Sequence, residues 1–163
     1  MKRIAVIGLV SYLAFALEFL LYNFWGEWGK PELLILVVIF FNLYLGIRFS
    51  IIAAVFCGIF KDASGIAPFG TYVLVYIAGA YLTTVIRRYL YQPGSRFSRA
   101  VVTFLVVIGC FIVQLLLMSM SHEVHLKEQL LYLLVPQLLT TMIAATYVFA
   151  QLRNIGVFFT LKS

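Results

Sequence analysis

Three charged side chains lie within or at the end of long apolar runs, where a charge is costly: Glu18, Lys61 and Asp62. A charged group in such a place usually faces the interior of a helix bundle or an oppositely charged partner. Glu18 lies about one turn before the end of the first run, and Lys61 ends the third run at a similar expected depth. We therefore hypothesise a Glu18–Lys61 ion pair. The open alternative is that Glu18 reaches the outer interface with water.

The residue types needed for catalysis are mostly missing. Asp62 is the only aspartate, so two aspartates cannot share a catalytic site. The sequence has no serine in a Gly-x-Ser-x-Gly elbow, no Walker loop and no dinucleotide-binding glycine pattern. His122 and His125 are three residues apart, not the four of a helical zinc motif, and lie in a predicted loop. We predict a protein that is not an enzyme and that uses no metal or cofactor.

The composition defines the elements that must position these charges. Of the 163 residues, 64% are hydrophobic and 11% are charged, and the mean hydropathy is +1.05. Soluble domains carry about 25% charged residues. The sequence therefore predicts an all-α polytopic membrane protein with one transmembrane domain over residues 1–163. The net charge of +6 lies at the ends of apolar runs and forms no basic stripe, which argues against nucleic-acid binding.

Six apolar runs predict six transmembrane helices. The third run, Ser50 to Phe60, covers only about half of a hydrocarbon core of ~30 Å. We expect a short third helix, which either extends past Lys61 towards Ile66 or lies where the bilayer is locally thinned. Arg48 closes the second run. The predicted spans cover approximately residues 4–24, 33–47, 50–66, 69–86, 100–120 and 130–150.

The distribution of basic residues decides the number of spans. With six spans and a cytoplasmic N-terminus, nine basic residues lie inside and three outside, as the positive-inside rule requires. If the second and third runs merged into one helix, the loop from Arg87 to Arg99 with its four arginines would face outward. We predict six spans, with both termini in the cytoplasm.

Small residues four positions apart predict close helix packing. The third run has Ser50, Ala54 and Gly58 at this spacing, and Gly79 lies on one face of the fourth run with Tyr76. Small residues let helix backbones approach closely in lipid, where no hydrophobic force drives association. We interpret these positions as packing sites in preference to ligand sites.

One stretch of the chain resembles a known family. Pro31 opens the second predicted helix, Arg48 ends it, and the third runs into Gly58-Ile59-Phe60-Lys61-Asp62, followed by Gly70 and an apolar run. This pattern resembles the MreD family of bacterial rod shape-determining proteins, in which a Gly-x-x-x-Asp precedes a glycine and an apolar helix. The likeness covers the whole chain in length and span pattern, and its specific part covers residues 31–70.

The resemblance carries implications for individual residues. It implies that Gly58 is a close-packing position, that Asp62 is the acid of the motif, and that Gly70 lies at the turn into the fourth helix. Lys61 is not part of the motif, so its pairing with Glu18 is inferred from the residues alone.

The resemblance also implies a function and partners. It implies a non-enzymatic subunit of the machinery that elongates the cell-wall cylinder, in the bacterial inner membrane. The implied partners are the periplasmic protein MreC, a SEDS-type glycosyltransferase with its penicillin-binding transpeptidase, and the actin-like MreB filament, besides membrane lipids. It further implies a six-helix arrangement like that of the substrate-binding subunits of energy-coupling-factor transporters.

Two functions therefore compete. The first is a scaffold that binds partner transmembrane helices through lipid-facing small-residue surfaces and outer loops. The second is the substrate-binding subunit of a vitamin-type importer, with an outward-facing pocket to which Glu18, Lys61, Asp62 and Tyr72 would contribute. The predicted outer loops are short for a lid over such a pocket, so we favour the scaffold.

Overall fold

The structure is a computed structural model of the chain and describes residues 2–26, 31–64, 68–90, 95–120, 132 and 136–151. Over these residues it is helical, with no strand. The helices are α1 (Lys2–Trp25), α2 (Leu33–Leu45), α3 (Ile47–Ser64), α4 (Thr71–Leu90) and α5 (Arg96–Met120), followed by α6 over residues 136–151.

Helix α2 forms the centre of the bundle. Every residue from Leu33 to Leu43 is buried, and α2 packs on α1, α3, α4 and α5. Helix α6 also contacts it, because the rings of Phe40 and Phe149 lie 6.0 Å apart. A helix that is apolar on all sides has no face to present to water, so the interior of the bundle is its expected place.

The chain reverses between α2 and α3 at Gly46. This glycine has φ +90°, in the left-handed region that side chains with a Cβ rarely adopt, and its N–H bonds to the carbonyls of Phe41 and Asn42. Helix α3 then folds back, and Ser50 Oγ donates to the carbonyl of Val38 at 3.0 Å. The second and third runs are therefore separate helices.

One prediction about this region needs correction. Arg48 does not end the second helix, because Gly46 ends it earlier and places Arg48 in the first turn of α3. The short third helix is not confirmed: α3 has 18 residues, more than the 13 of α2 but fewer than α1, α4 and α5. The apolar run ends at Phe60, and the helix continues in the predicted direction through Lys61 and Asp62, which are buried inside the bundle.

Three of the described helices are long and apolar enough to cross a membrane. They are Ile4–Phe24, Thr71–Leu90 and Phe97–Leu117, and α2 is apolar but shorter. Large apolar side chains on the outside of the bundle, such as Leu9, Leu13 and Leu17 of α1, are exposed, as lipid contact would require. Much of the predicted outer loops and most of residues 130–135 lie outside the described residues.

Candidate functional site

Glu18 and Lys61 form an ion pair that joins three helices. Lys61 Nζ of α3 bonds to Glu18 Oε1 of α1, and both residues are buried, with 2% of Glu18 and 7% of Lys61 exposed. The backbone N–H of Leu34, in the first turn of α2, donates to Glu18 Oε2 at 3.4 Å. A carboxylate near the start of a helix also interacts favourably with the helix dipole. Of the two alternatives for Glu18, the structure has the ion pair and not the interfacial side chain.

Asp62 caps the start of α4 from the neighbouring helix. Its Oδ2 accepts hydrogen bonds from the N–H groups of Gly70 at 3.0 Å and Val73 at 3.3 Å, and its Oδ1 accepts one from Tyr72 at 3.0 Å. The first N–H groups of a helix have no partner within the helix, and a carboxylate satisfies both these donors and the helix dipole. One side chain of α3 therefore fixes the position of α4.

The two glycines of the motif lie at the same junction. A Cβ on Gly58 would lie 2.5 Å from Val73 Cα, so the backbones of α3 and α4 approach each other closely here. Gly70 has φ +100° and turns its N–H to Asp62 just before α4 begins. The structure thus brings Gly58, Asp62 and Gly70 together, and we call this group, with Val73, the α3–α4 junction.

Aromatic and amide groups extend this polar region to α5. Lys61 Nζ lies 5.7 Å from the centre of the Tyr72 ring, and Gln114 Nε2 of α5 donates to Tyr72 Oη at 3.2 Å. We call Glu18, Lys61, Asp62 and Tyr72 the Lys61 cluster. In the described part of the chain, the hydroxyl of Tyr76, which is 1% exposed, has no hydrogen-bond partner.

A second polar group lies at the other end of α2. Asn42 Nδ2 donates to the carbonyl of Ala80 at 2.8 Å and to Thr84 Oγ1 at 2.9 Å, and Arg87 Nη1 donates to the carbonyl of Asn42 at 2.6 Å. We call Asn42, Thr84 and Arg87 the Asn42 cluster. Sequence reasoning gave Asn42 no partner and treated Arg87 as a topology marker. The spacing of Thr84 and Arg87 on one face of α4 was the available signal.

The small residues of α3 pack inside the bundle. Ser50, Ala54 and Gly58 are buried against neighbouring helices of the same chain. They therefore do not form a lipid-facing surface for partner helices. The prediction that a scaffold would bind partners through such small-residue surfaces is wrong for α3. The pattern marks close helix contacts, but it does not reveal whether the neighbour belongs to the same chain.

The other predicted site residues, Gly79, Pro31 and Arg48, lie outside the Lys61 cluster. A Cβ on Gly79 would lie 2.6 Å from Cys110 Sγ, which places Gly79 at the contact of α4 with α5. Pro31 is buried before α2, and Arg48 is exposed. Neither of these two residues takes part in the Lys61 cluster.

Metal-binding residue types do not cluster in the described part of the chain. This part contains no group of three or more His, Cys, Asp or Glu residues that would hold a metal ion, whereas His122 and His125 lie outside the described residues. A cavity of about 10 Å³ beside Glu32, Gln114 and Gln137 has room for about one water molecule. The bonds of the Lys61 cluster and the Asn42 cluster run between neighbouring helices.

The fold and the site define a class of protein: a helical membrane protein whose buried charges hold its own helices together. Within that class, the chain belongs to the MreD family, since the family described as rod shape-determining protein MreD matches residues 2–154. This confirms the resemblance seen in the sequence and gives the chain a role in rod-shape determination. A search of curated proteins and a search of solved structures each found no match.

Proposed function

We propose that this chain is a non-enzymatic scaffold of the machinery that determines rod shape. The observation that supports this most directly is the use of the buried charges. Glu18 and Lys61 bond to each other, and Asp62 bonds to three backbone N–H groups of α4. Groups engaged in this way hold helices in a fixed arrangement and are not left to converge on a ligand. An importer subunit would need such groups at its pocket.

The proposed partners are an MreC-like periplasmic protein, a SEDS glycosyltransferase with its penicillin-binding transpeptidase, and the MreB filament. Because the small-residue face of α3 is used within the bundle, we place partner helices on the outer faces of the bundle. The exposed face of α1, with Leu9, Leu13 and Leu17 at helical spacing, offers one such surface. A partner helix would be held on this face by van der Waals packing between side chains, since no hydrophobic force drives helix association in lipid.

The first experiment is a pull-down of the tagged chain from native membranes in mild detergent, with the co-purified proteins identified by mass spectrometry. We expect MreC and the cell-wall synthases. Recovery of a membrane coupling subunit with ATPases in their place would contradict the scaffold and support the vitamin-type importer.

A second experiment tests the motif acid in cells. We expect Asp62→Ala to fail to restore rod shape when the native copy is depleted, whereas Ser64→Ala, an exposed neighbour, restores it. The amount of each variant in the membrane is measured alongside. If Asp62→Ala is present in a normal amount and still recovers MreC but the cells lose rod shape, Asp62 is needed for the activity of the complex. Normal rod shape would show that the function does not need Asp62.

We also propose that the chain spans the inner membrane six times with both termini in the cytoplasm. The test uses single cysteines at two exposed or half-buried positions, Asn23→Cys in the last turn of α1 and Ser95→Cys before the fifth span. A membrane-impermeant maleimide applied to spheroplasts should label Asn23→Cys, and should label Ser95→Cys only after permeabilisation. The unsubstituted chain, whose Cys57 and Cys110 are buried, is the control. The reverse labelling would overturn the orientation.

A further inference from the structure

A groove between α5 and α6 combines a cation with apolar walls. Its volume is about 320 Å³, and its lining includes Arg99, Ala100 and Thr103 of α5 and Ala145 and Phe149 of α6. The three alanines and two threonines of the lining are small, which leaves the space open. Thr146 and Ala150, which also line the groove, are exposed, so the groove opens onto the outside of the bundle.

Among the described residues, the cation in this groove has no acidic partner. Arg99 Nη1 donates to Tyr44 Oη at 3.3 Å, and within the described part of the chain no carboxylate pairs with the guanidinium. An arginine has five N–H donors, so most of them remain for a ligand. The surrounding sequence also has an excess of positive charge, because residues 84–103 contain four arginines and no acidic residue.

Among the described residues, the other side chains of the groove offer no further hydrogen-bond donor. Thr103 Oγ1 donates to the carbonyl of Arg99 at 2.8 Å, and Thr146 Oγ1 donates to the carbonyl of Ile143 at 2.8 Å. With their hydroxyls used within their own helices, both threonines leave methyl groups for the groove. The occupant must therefore carry a negative charge at one end and an apolar chain at the other.

We propose that this groove binds one phospholipid with an anionic headgroup, with its phosphate at Arg99 and part of an acyl chain along α5 and α6. Basic pockets between transmembrane helices are suited to anionic lipid headgroups, and arginine binds phosphate through two parallel N–H donors. The groove has room for a segment of an acyl chain and not for the whole lipid, so the remainder of the lipid lies in the surrounding bilayer. Neither the rod-shape role nor the orientation of the chain is needed for this proposal.

The test is native mass spectrometry of the full chain in detergent with equal amounts of phosphatidylglycerol and phosphatidylcholine. We expect the chain to retain phosphatidylglycerol in preference to phosphatidylcholine. Arg99→Gln should weaken phosphatidylglycerol binding by about tenfold, the scale of one charge-assisted hydrogen bond. The matched control is Arg88→Gln, which removes the same charge from an exposed position outside the groove and should bind as the unsubstituted chain does.

A second variant tests the groove without changing any charge. Ala150→Trp places a large ring at the exposed rim and should displace the lipid while the thermal stability of the chain is unchanged. Three results would each overturn the proposal: equal retention of the two lipids, equal losses in Arg99→Gln and Arg88→Gln, or unchanged binding in Ala150→Trp.

Discussion

The two ends of α2 are held by different chemistry. Near Leu34 the Lys61 cluster uses full charges: a buried ion pair and a carboxylate that caps α4. Near Asn42 the Asn42 cluster uses an amide and a hydroxyl, with one arginine bonded to a backbone carbonyl. Removing one member of a buried charge pair leaves the other unpaired, which costs far more than losing a neutral hydrogen bond.

The charged side chains at each end of α2 also bond to helix termini. Asp62 lies at the start of α4 and Glu18 near the start of α2, whereas Arg87 bonds to a carbonyl in the last turn of α2. Each charge has the sign that the helix dipole favours at that position. The bundle therefore uses its few buried charges both to satisfy helix termini and to join neighbouring helices.

The largest expected effect is at the ion pair. Lys61→Met removes the ammonium and leaves Glu18 buried without its partner, so we expect a loss of about 4 kcal/mol of stability. Thermal unfolding in detergent measures it. The double variant with Glu18→Gln should recover much of the loss, and a double variant as unstable as the sum of the single ones would show that the two residues do not interact.

The next effect is at the cap of α4. Asp62→Ala leaves the N–H groups of Gly70, Tyr72 and Val73 without their acceptor, and we expect a loss of about 3 kcal/mol. Asp62→Asn retains one acceptor oxygen and should lose less, because asparagine caps helices nearly as well as aspartate. The same unfolding measurement on both variants tests this, and equal losses would rule out the acceptor role.

A steric effect follows at the α3–α4 junction. Gly58→Ala adds a Cβ against the backbone of Val73, and overpacking of this kind costs about 2 kcal/mol. Gly8→Ala in α1 is the matched control, because its Cβ would meet nothing within 4 Å. The midpoint of thermal unfolding should fall for Gly58→Ala alone, and an equal fall in both variants would show a general effect of the substitution.

The smallest effect is expected at the neutral end. Asn42→Leu removes the hydrogen bonds to Ala80 and Thr84 and leaves Arg87 in place, and hydrogen bonds between helices in membranes average about 0.6 kcal/mol. We therefore expect a loss of about 1 kcal/mol. A loss of stability as large as that of Lys61→Met would mean that the neutral end of α2 contributes as much stability as the charged end.

Much of this arrangement was predictable from particular residues. Glu18 and Lys61 were paired because charges are costly in apolar runs, and the Gly58, Asp62 and Gly70 pattern was sufficient to find the family. The partners of Asp62 were not predictable in the same way. They are backbone N–H groups, which every residue possesses, so no side-chain pattern marks them.

The sequence by itself determined the class of protein, because a chain with 11% charged residues and long apolar runs must place most of its surface in lipid. It also determined which few residues carry costly charges. Only the tertiary structure decided that α2 is central, that the second helix ends at Gly46 and not at Arg48, and that the small residues of α3 face their own bundle. The physical reason is that apolar and small residues suit lipid, a partner and the bundle interior equally well, and only the packing of the whole chain distinguishes these neighbours.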